Sequence, residues 1–128
     1  MIGVVKRTKP RHIPAPDGKL LAYYHRGAET QHKRIHIVSV ETGQRVQTLA
    51  IPHTAYLLQW LKAGLCYAEI RQGVTNLWRL PLNGRPPEQM TDFKADIITQ
   101  FAWSPDETQL VCARRSQNDN VLLLREFK

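Results

Sequence analysis

Residues 101–127, FAWSPDETQLVCARRSQNDNVLLLREF, decide the fold. An apolar stretch ends at the turn Trp103-Ser104-Pro105-Asp106, and a second apolar run follows from Leu110. The polar segment SQNDN then leads to a third run beginning at Val121. Pro presets φ for a tight turn, and Ser and Asp side chains bond the backbone a residue or two further on. The same order recurs upstream. IPAPDGKLLAYYHR (13–26) is followed by GAETQHK, RIHIVSV and the turn ETGQ, while LLQWLKAGLCYAEIR (57–71) is followed by QGVTN, LWRLPL and the turn NGRP. Trp60 and Trp103 lie 43 residues apart, Gly43 and Gly84 lie 41 apart, and Leu21, Leu65 and Leu110 are separated by 44 and 45. A period of this length with several short strands per unit marks propeller blades.

Each unit offers four strands. The first ends at the Pro-Asp turn and the second is the apolar run after it. The third covers 35–40, 77–82 and 121–127, and a short fourth covers 45–50 and 88–91. In the third unit Glu107 stands where the first has Gly18, so the turn predicts a strained left-handed backbone there, costing about 1 kcal/mol. The middle unit turns with Ala63-Gly64 instead. Val121–Leu124 and Leu20–Tyr24 have no polar position, as expected for strands covered on both faces. Helical periodicity is poor, and 8 prolines interrupt the longer candidates. The expected fold is all-β, a partial β-propeller of about three four-stranded blades near 9–50, 55–93 and 97–128. Oligomerisation or further blades in a longer chain would complete it.

Composition narrows the classes. An apolar share of 42% suits a globular domain, and no run of about 18 apolar residues is present to span a bilayer. The start, MIGVVKRTKPR, is no secretory signal. The compartment stays open: cytoplasmic for the chain as written, periplasmic if a targeting segment precedes it. Cys66 and Cys112 lack Cys-x-x-Cys spacing and read as small core residues, with a disulfide between them as the alternative.

The motif Trp-Ser-Pro-Asp, then an apolar strand, a polar loop and a second strand, resembles the TolB-type (WD-like) propeller repeat. Residues 103–106 match it closely; Ala15-Pro16-Asp17-Gly18 keeps its last part, with Pro14 in the tryptophan's place. The middle repeat keeps Trp60 but lacks Ser-Pro-Asp. The closing stretch, QMTDF through FAWSPD to NDNVLLLREFK, is similar to the C-terminal propellers of bacterial serine/threonine kinases and winged-helix regulators. That resemblance implies a sensory or protein-interaction module. No Gly-rich loop, catalytic Asp motif or helix-turn-helix pattern accompanies it.

No residue set here calls for catalysis, a metal or a cofactor. His32 and His36 are four apart, but they straddle a loop and a strand start, and read as surface histidines. Ser104 lies in a turn, not in a nucleophile elbow, and its hydroxyl is expected to cap that turn. Asp17 and Asp106 recur at one repeat position and read as structural. Trp60 and Trp103 read as inter-blade packing. Prolyl-type peptidases and oligogalacturonate lyases also carry such propellers, but the first need a separate hydrolase domain and the second a metal-ligand cluster.

Charge gives the sharpest lead. The chain carries +7, and residues 1–36 hold 8 Lys or Arg against Asp17 and Glu29. In an up-and-down blade, the second-to-third strand loops and the blade connections share one end. That end gathers Arg26, Lys33, Arg34, Arg71, Arg114 and Arg115 as candidate binding residues, along with Arg7, Lys9, Arg11 and Lys94. The opposite end is close to neutral. An electropositive end predicts an acidic partner; the alternative is a solubilising surface. The favoured reading is non-catalytic protein binding, with nucleic-acid or anionic-ligand binding second and a non-catalytic fragment of a larger kinase, regulator or hydrolase third. Three repeats cannot close a ring. Residues 2–6 could therefore complete the last blade of another copy, giving a dimer of six blades or a trimer of nine, unless further blades lie upstream.

Overall fold

The computed structural model describes residues 12–25, 32–116 and 120–126. Among them are 11 strands and no helix. The chain divides into two compact units, Met1–Ile51 and Pro52–Lys128.

The first unit holds one antiparallel sheet in the order β1-β2-β3-β4: β1 (His12–Pro14), β2 (Leu20–His25), β3 (His32–Ser39) and β4 (Arg45–Pro52). The Pro-Asp-Gly turn closes as its sequence dictates. The Gly18 amide donates to the Ala15 carbonyl at 2.9 Å, Gly18 takes φ +75°, and the Lys19 amide donates to Asp17 Oδ1 at 2.9 Å. Ala22, Ile35 and Ile37 form the buried middle of this sheet. His36 lies between the last two at 5% exposure, which corrects the surface reading. Both faces of β3 are covered here, so alternation does not carry the imidazole to solvent. Its Nδ1 lies 2.9 Å from Thr48 Oγ1, and the ring is tilted against Tyr23 at 5.2 Å. The side chain of His32, the N-terminal stretch 2–6 and residues Arg7, Lys9, Arg11, Arg26, Glu29 and Asp119 lie outside what the structure describes.

The second unit holds two sheets. One runs β5-β6-β7-β8: β5 (Ala55–Leu61), β6 (Gly64–Arg71), β7 (Val74–Pro81) and β8 (Glu88–Gln89). The other runs β9 (Ile97–Trp103), β10 (Gln109–Arg115) and β11 (Asn120–Glu126), with β10 in the middle. Consecutive strands pair antiparallel throughout, the up-and-down order of a propeller blade. Gly64 to Glu69 are buried without a break, which explains why the run reads apolar on both faces. Gln72 and Gly73 both take positive φ, 50° and 81°, the two-residue hairpin turn whose twist suits antiparallel strands. The fourth strand is shorter than expected: the Met90 amide still donates to the Leu77 carbonyl at 2.8 Å, but side chains take over the pairing from Thr91 onward. The Leu77 amide donates to Thr91 Oγ1 at 2.9 Å, and Asn76 Oδ1 accepts from the Phe93 amide at 2.6 Å.

Between these two sheets lies one core: Leu61, Cys66, Ala68 and Leu77 from the first, Ile98, Phe101, Leu110 and Cys112 from the second. Trp103 packs against it, as an inter-blade tryptophan should. A bulge at Leu57 (φ +55°) shifts the β5 register between Tyr56 and Gln59. Tyr56 and Gln59 flank that bulge and both reach the next sheet. The Tyr56 hydroxyl bonds the Ile98 carbonyl at 2.8 Å, and Gln59 Nε2 donates to the Phe101 carbonyl.

Both cysteines are free and buried. Burial pushes the Cys66 thiol up to about 12. Ellman's reagent is therefore expected to leave the native protein's thiols unmodified at pH 8 and to modify both in denaturant. Rapid reaction of the native protein would contradict a sealed core.

The Trp-Ser-Pro-Asp turn repeats the first unit's geometry. The Glu107 amide donates to the Ser104 carbonyl at 2.8 Å, as Gly18 does to Ala15. Ser104 caps the turn as expected: its Oγ accepts from the Gln109 amide at 3.0 Å and donates to Asp106 Oδ1 at 2.7 Å. Asp106 also accepts from the Thr108 amide and hydroxyl. The Ser104 hydroxyl, then the Thr108 groups, hold the Asp106 carboxyl down at about 2. Because the folded value lies below the ordinary one, this contribution is present above about pH 4 and is lost as pH falls toward 2. The difference in Tm between wild type and Asp106→Asn should narrow across that window, and a constant difference would refute the link.

Glu107 has φ +60°, the expected left-handed backbone. It also makes an unforeseen contact: Oε2 accepts from the Lys62 amide at 2.7 Å, joining the turns of the two sheets. On backbone strain alone, Glu107→Gly should gain about 0.5–1 kcal/mol. The bond to the carboxylate contributes about 1.5–3 kcal/mol, less at this exposed position. The expected sign reverses to a net loss near 1 kcal/mol, readable in urea denaturation. A gain in stability would mean that the strain outweighs the clasp.

Candidate binding face

Period two along β6 puts Leu65, Tyr67, Glu69 and Arg71 on one face, with Asn76 and Trp78 of β7 opposite Glu69 and Tyr67. The strand carries Glu69 into the interior, where it is 5% exposed, and ends with Arg71 at the surface, 65% exposed. The Glu69 carboxylate accepts from Thr54 Oγ1 at 3.1 Å and from Arg71 Nε at 3.1 Å. This partnering is what a buried carboxylate requires. The Arg71 guanidinium then lies 4.9 Å over the Trp78 ring. Next to Glu69, the Tyr67 phenol is pushed up to about 12, by burial first and by the carboxylate's charge second.

Glu69, Arg71, Asn76 and Trp78 wall a concavity of about 280 Å³ whose far side is the chain after β8, including Asp92, Phe93 and Lys94. Asn76 fixes that segment. Besides its bond from the Phe93 amide, it accepts from the Thr91 hydroxyl at 2.8 Å and donates Nδ2–H to the Phe93 carbonyl at 3.2 Å. Asp92 and Lys94 pair at 3.0 Å on the surface.

The six sequence-picked cations have different surroundings. Arg26 lies outside the described residues. Lys33 and Arg34 are on β3, with Lys33 Nζ 5.7 Å from the Tyr24 ring centre and Arg34 exposed. Arg71 ends β6, while Arg114 and Arg115 end β10. Phe93 links two of them in the second unit, lining the concavity with Arg71 and lying 4.0 Å beneath the Arg114 guanidinium. Arg114 is committed internally: Nη2 donates to the Ala95 carbonyl at 2.8 Å and lies 3.6 Å from Asp96. Arg115 is exposed. Sequence reasoning missed Glu69, Trp78 and Phe93. Glu69 had a signal, a lone carboxylate inside LCYAEIR, two residues and hence one strand face from an arginine.

Among the described residues no group of three His, Cys, Asp or Glu is placed to hold a metal ion. No described helix is long and apolar enough to cross a membrane.

The architecture is that of a partial β-propeller. By solved structure the chain is similar to a prolyl endopeptidase, from work on two such enzymes and the role of inter-domain dynamics in catalysis and specificity: TM-score 0.67, 17% identity, 91% of this chain and 20% of that one. It is also similar to TolB from Acinetobacter baumannii: TM-score 0.66, 13% identity, 91% of this chain and 29% of that one. The chain thus spans under a third of either neighbour, and the likeness is one of fold. No protein-family profile and no curated protein matches the sequence.

Proposed function

We propose that this chain is a non-catalytic interaction module of TolB-like propeller type, which engages a protein partner through the end where β6 turns into β7. The observation that carries this reading is the walled concavity in which Arg71 is stacked on Trp78 and held by Glu69. Arginine and tryptophan in a preformed recess are the residues that dominate protein interfaces. The rival, polyanion binding by a basic end, loses force because Arg114 is committed to Asp96 and the Ala95 carbonyl, and the concavity beside Arg71 carries as many carboxylates as cations. On the propeller reading, three blades are too few to close a ring, and further blades or copies of the chain would complete it.

A fluorescence titration with single- and double-stranded DNA over a salt series tests the choice of partner class. The expected result is no saturable binding at low salt. Tight binding with a steep log–log salt slope would transfer the function to nucleic acid. Turnover of an ester, peptide or polysaccharide substrate by purified protein would overturn the non-catalytic assignment.

A further inference from the structure

We propose that Arg71 is a carboxylate-docking residue, whose guanidinium receives an Asp or Glu side chain from an acidic segment of the partner protein. This rests on the interaction reading above and specifies its ligand chemistry.

Three features set the group for that role. The Nε edge is occupied by Glu69, a carboxylate buried at 5% exposure and anchored by Thr54. The guanidinium carbon lies over the Trp78 ring, 4.9 Å from its centre. Among the described residues no hydrogen bond engages Nη1 or Nη2, and the side chain is 65% exposed at the mouth of the concavity. Their N–H groups, coplanar and already oriented, match the two oxygens of a carboxylate. Preorganisation lowers the ordering cost that a loose surface arginine would incur on binding.

Local charge selects the kind of anion. The concavity is lined by Glu69 and Asp92 against Arg71 and Lys94, a balanced set. A single carboxylate adds one negative charge and meets two N–H donors at short range. A phosphate dianion or a phosphodiester run meets the same donors but also the field of two nearby carboxylates, without the surplus of cations that phosphate recognition uses. Trp78, Phe93 and Val74 add apolar surface on the same walls, which suits the stem of a glutamate side chain better than a sugar–phosphate chain.

The test is fluorescence anisotropy of a fluorescein-labelled oligoglutamate peptide with the full chain at low ionic strength, beside an oligoglutamine peptide. The glutamate peptide should bind and the glutamine peptide should not, a comparison that needs no variant. Arg71→Lys keeps the charge and loses the planar fork, so affinity should fall about tenfold. Arg85→Lys on the opposite turn should leave binding unchanged. Circular dichroism and Tm confirm that each variant is folded. Equal binding of the two peptides, wild-type affinity in Arg71→Lys, or displacement of the glutamate peptide by inorganic phosphate or oligothymidylate at lower concentration than unlabelled peptide would each overturn the proposal. Peptide failure with a negative DNA titration removes this docking residue alone. DNA binding with a steep salt slope removes the protein-interaction reading with it.

Discussion

Replacing Gly64 by alanine is expected to destabilise the protein by about 3 kcal/mol, a large share of a small domain's stability. Gly64 opens β6 opposite Pro81, with φ +153°. A Cβ built there would lie 2.5 Å from the Leu80 carbonyl oxygen and 3.1 Å from Pro81 Cα. Both obstacles are backbone, so relief requires the β6–β7 pair to open at its end, where Leu80 (4% exposed) is part of the core. The substitution therefore adds a close contact to an unfavourable dihedral. Gly18→Ala gives the comparison: φ is also positive, but nothing lies within 4 Å of the added carbon. Its cost should stay near 1 kcal/mol. Urea denaturation of the two variants checks the order, and equal losses would mean that the close approach to Leu80 is not present.

The second large effect is expected at Leu110. Its side chain is fully buried in the core shared by the two sheets of the second unit. Leu110→Ala should cost about 2–5 kcal/mol, from lost transfer energy and the cavity left behind. Val111, one residue on, points the other way and is 37% exposed. Val111→Ala should cost well under about 1 kcal/mol. If Val111 proved the costlier site, the β10 register against β9 would be wrong by one residue.

The sequence announced its architecture through local chemistry. Trp103-Ser104-Pro105-Asp106 and Pro16-Asp17-Gly18 each specify a turn from residues within reach of one another, and the apolar runs beside them specify strands. Asn83-Gly84 and Glu41-Thr42-Gly43-Gln44 likewise end third strands where they were expected, with Gly43 and Gly84 at φ +74° and +89°. What could not be read is non-local or depends on burial of both faces. Leu57 has no local reason to adopt a left-handed backbone, and the bulge makes sense only with Tyr56 reaching Ile98, 42 residues away. Glu107 meets Lys62 across 45 residues. His36 was misread because alternation presumes one wet face, and β3 has none at that point.

The candidate face was partly legible. Counting cations found Arg71, Arg114 and Arg115 at one end of the second unit's sheets. It could not show that Arg71 is shared with a buried glutamate and a tryptophan, or that Arg114 is spent on Asp96 and Phe93. Charge counting sees the sum, whereas binding depends on which donors are left over.

Nuclear Overhauser spectroscopy tests the central claim most directly, namely that β5–β8 and β9–β11 are consecutive antiparallel blades packed face to face. Adjacent blades require contacts between the Tyr56 ring and Ile98, together with cross-strand contacts for the Tyr67–Trp78 and Cys112–Phe101 pairs. Sequential amide–amide contacts of helical type through residues 64–71, or a Tyr56 ring with no contact to Ile98, would contradict it.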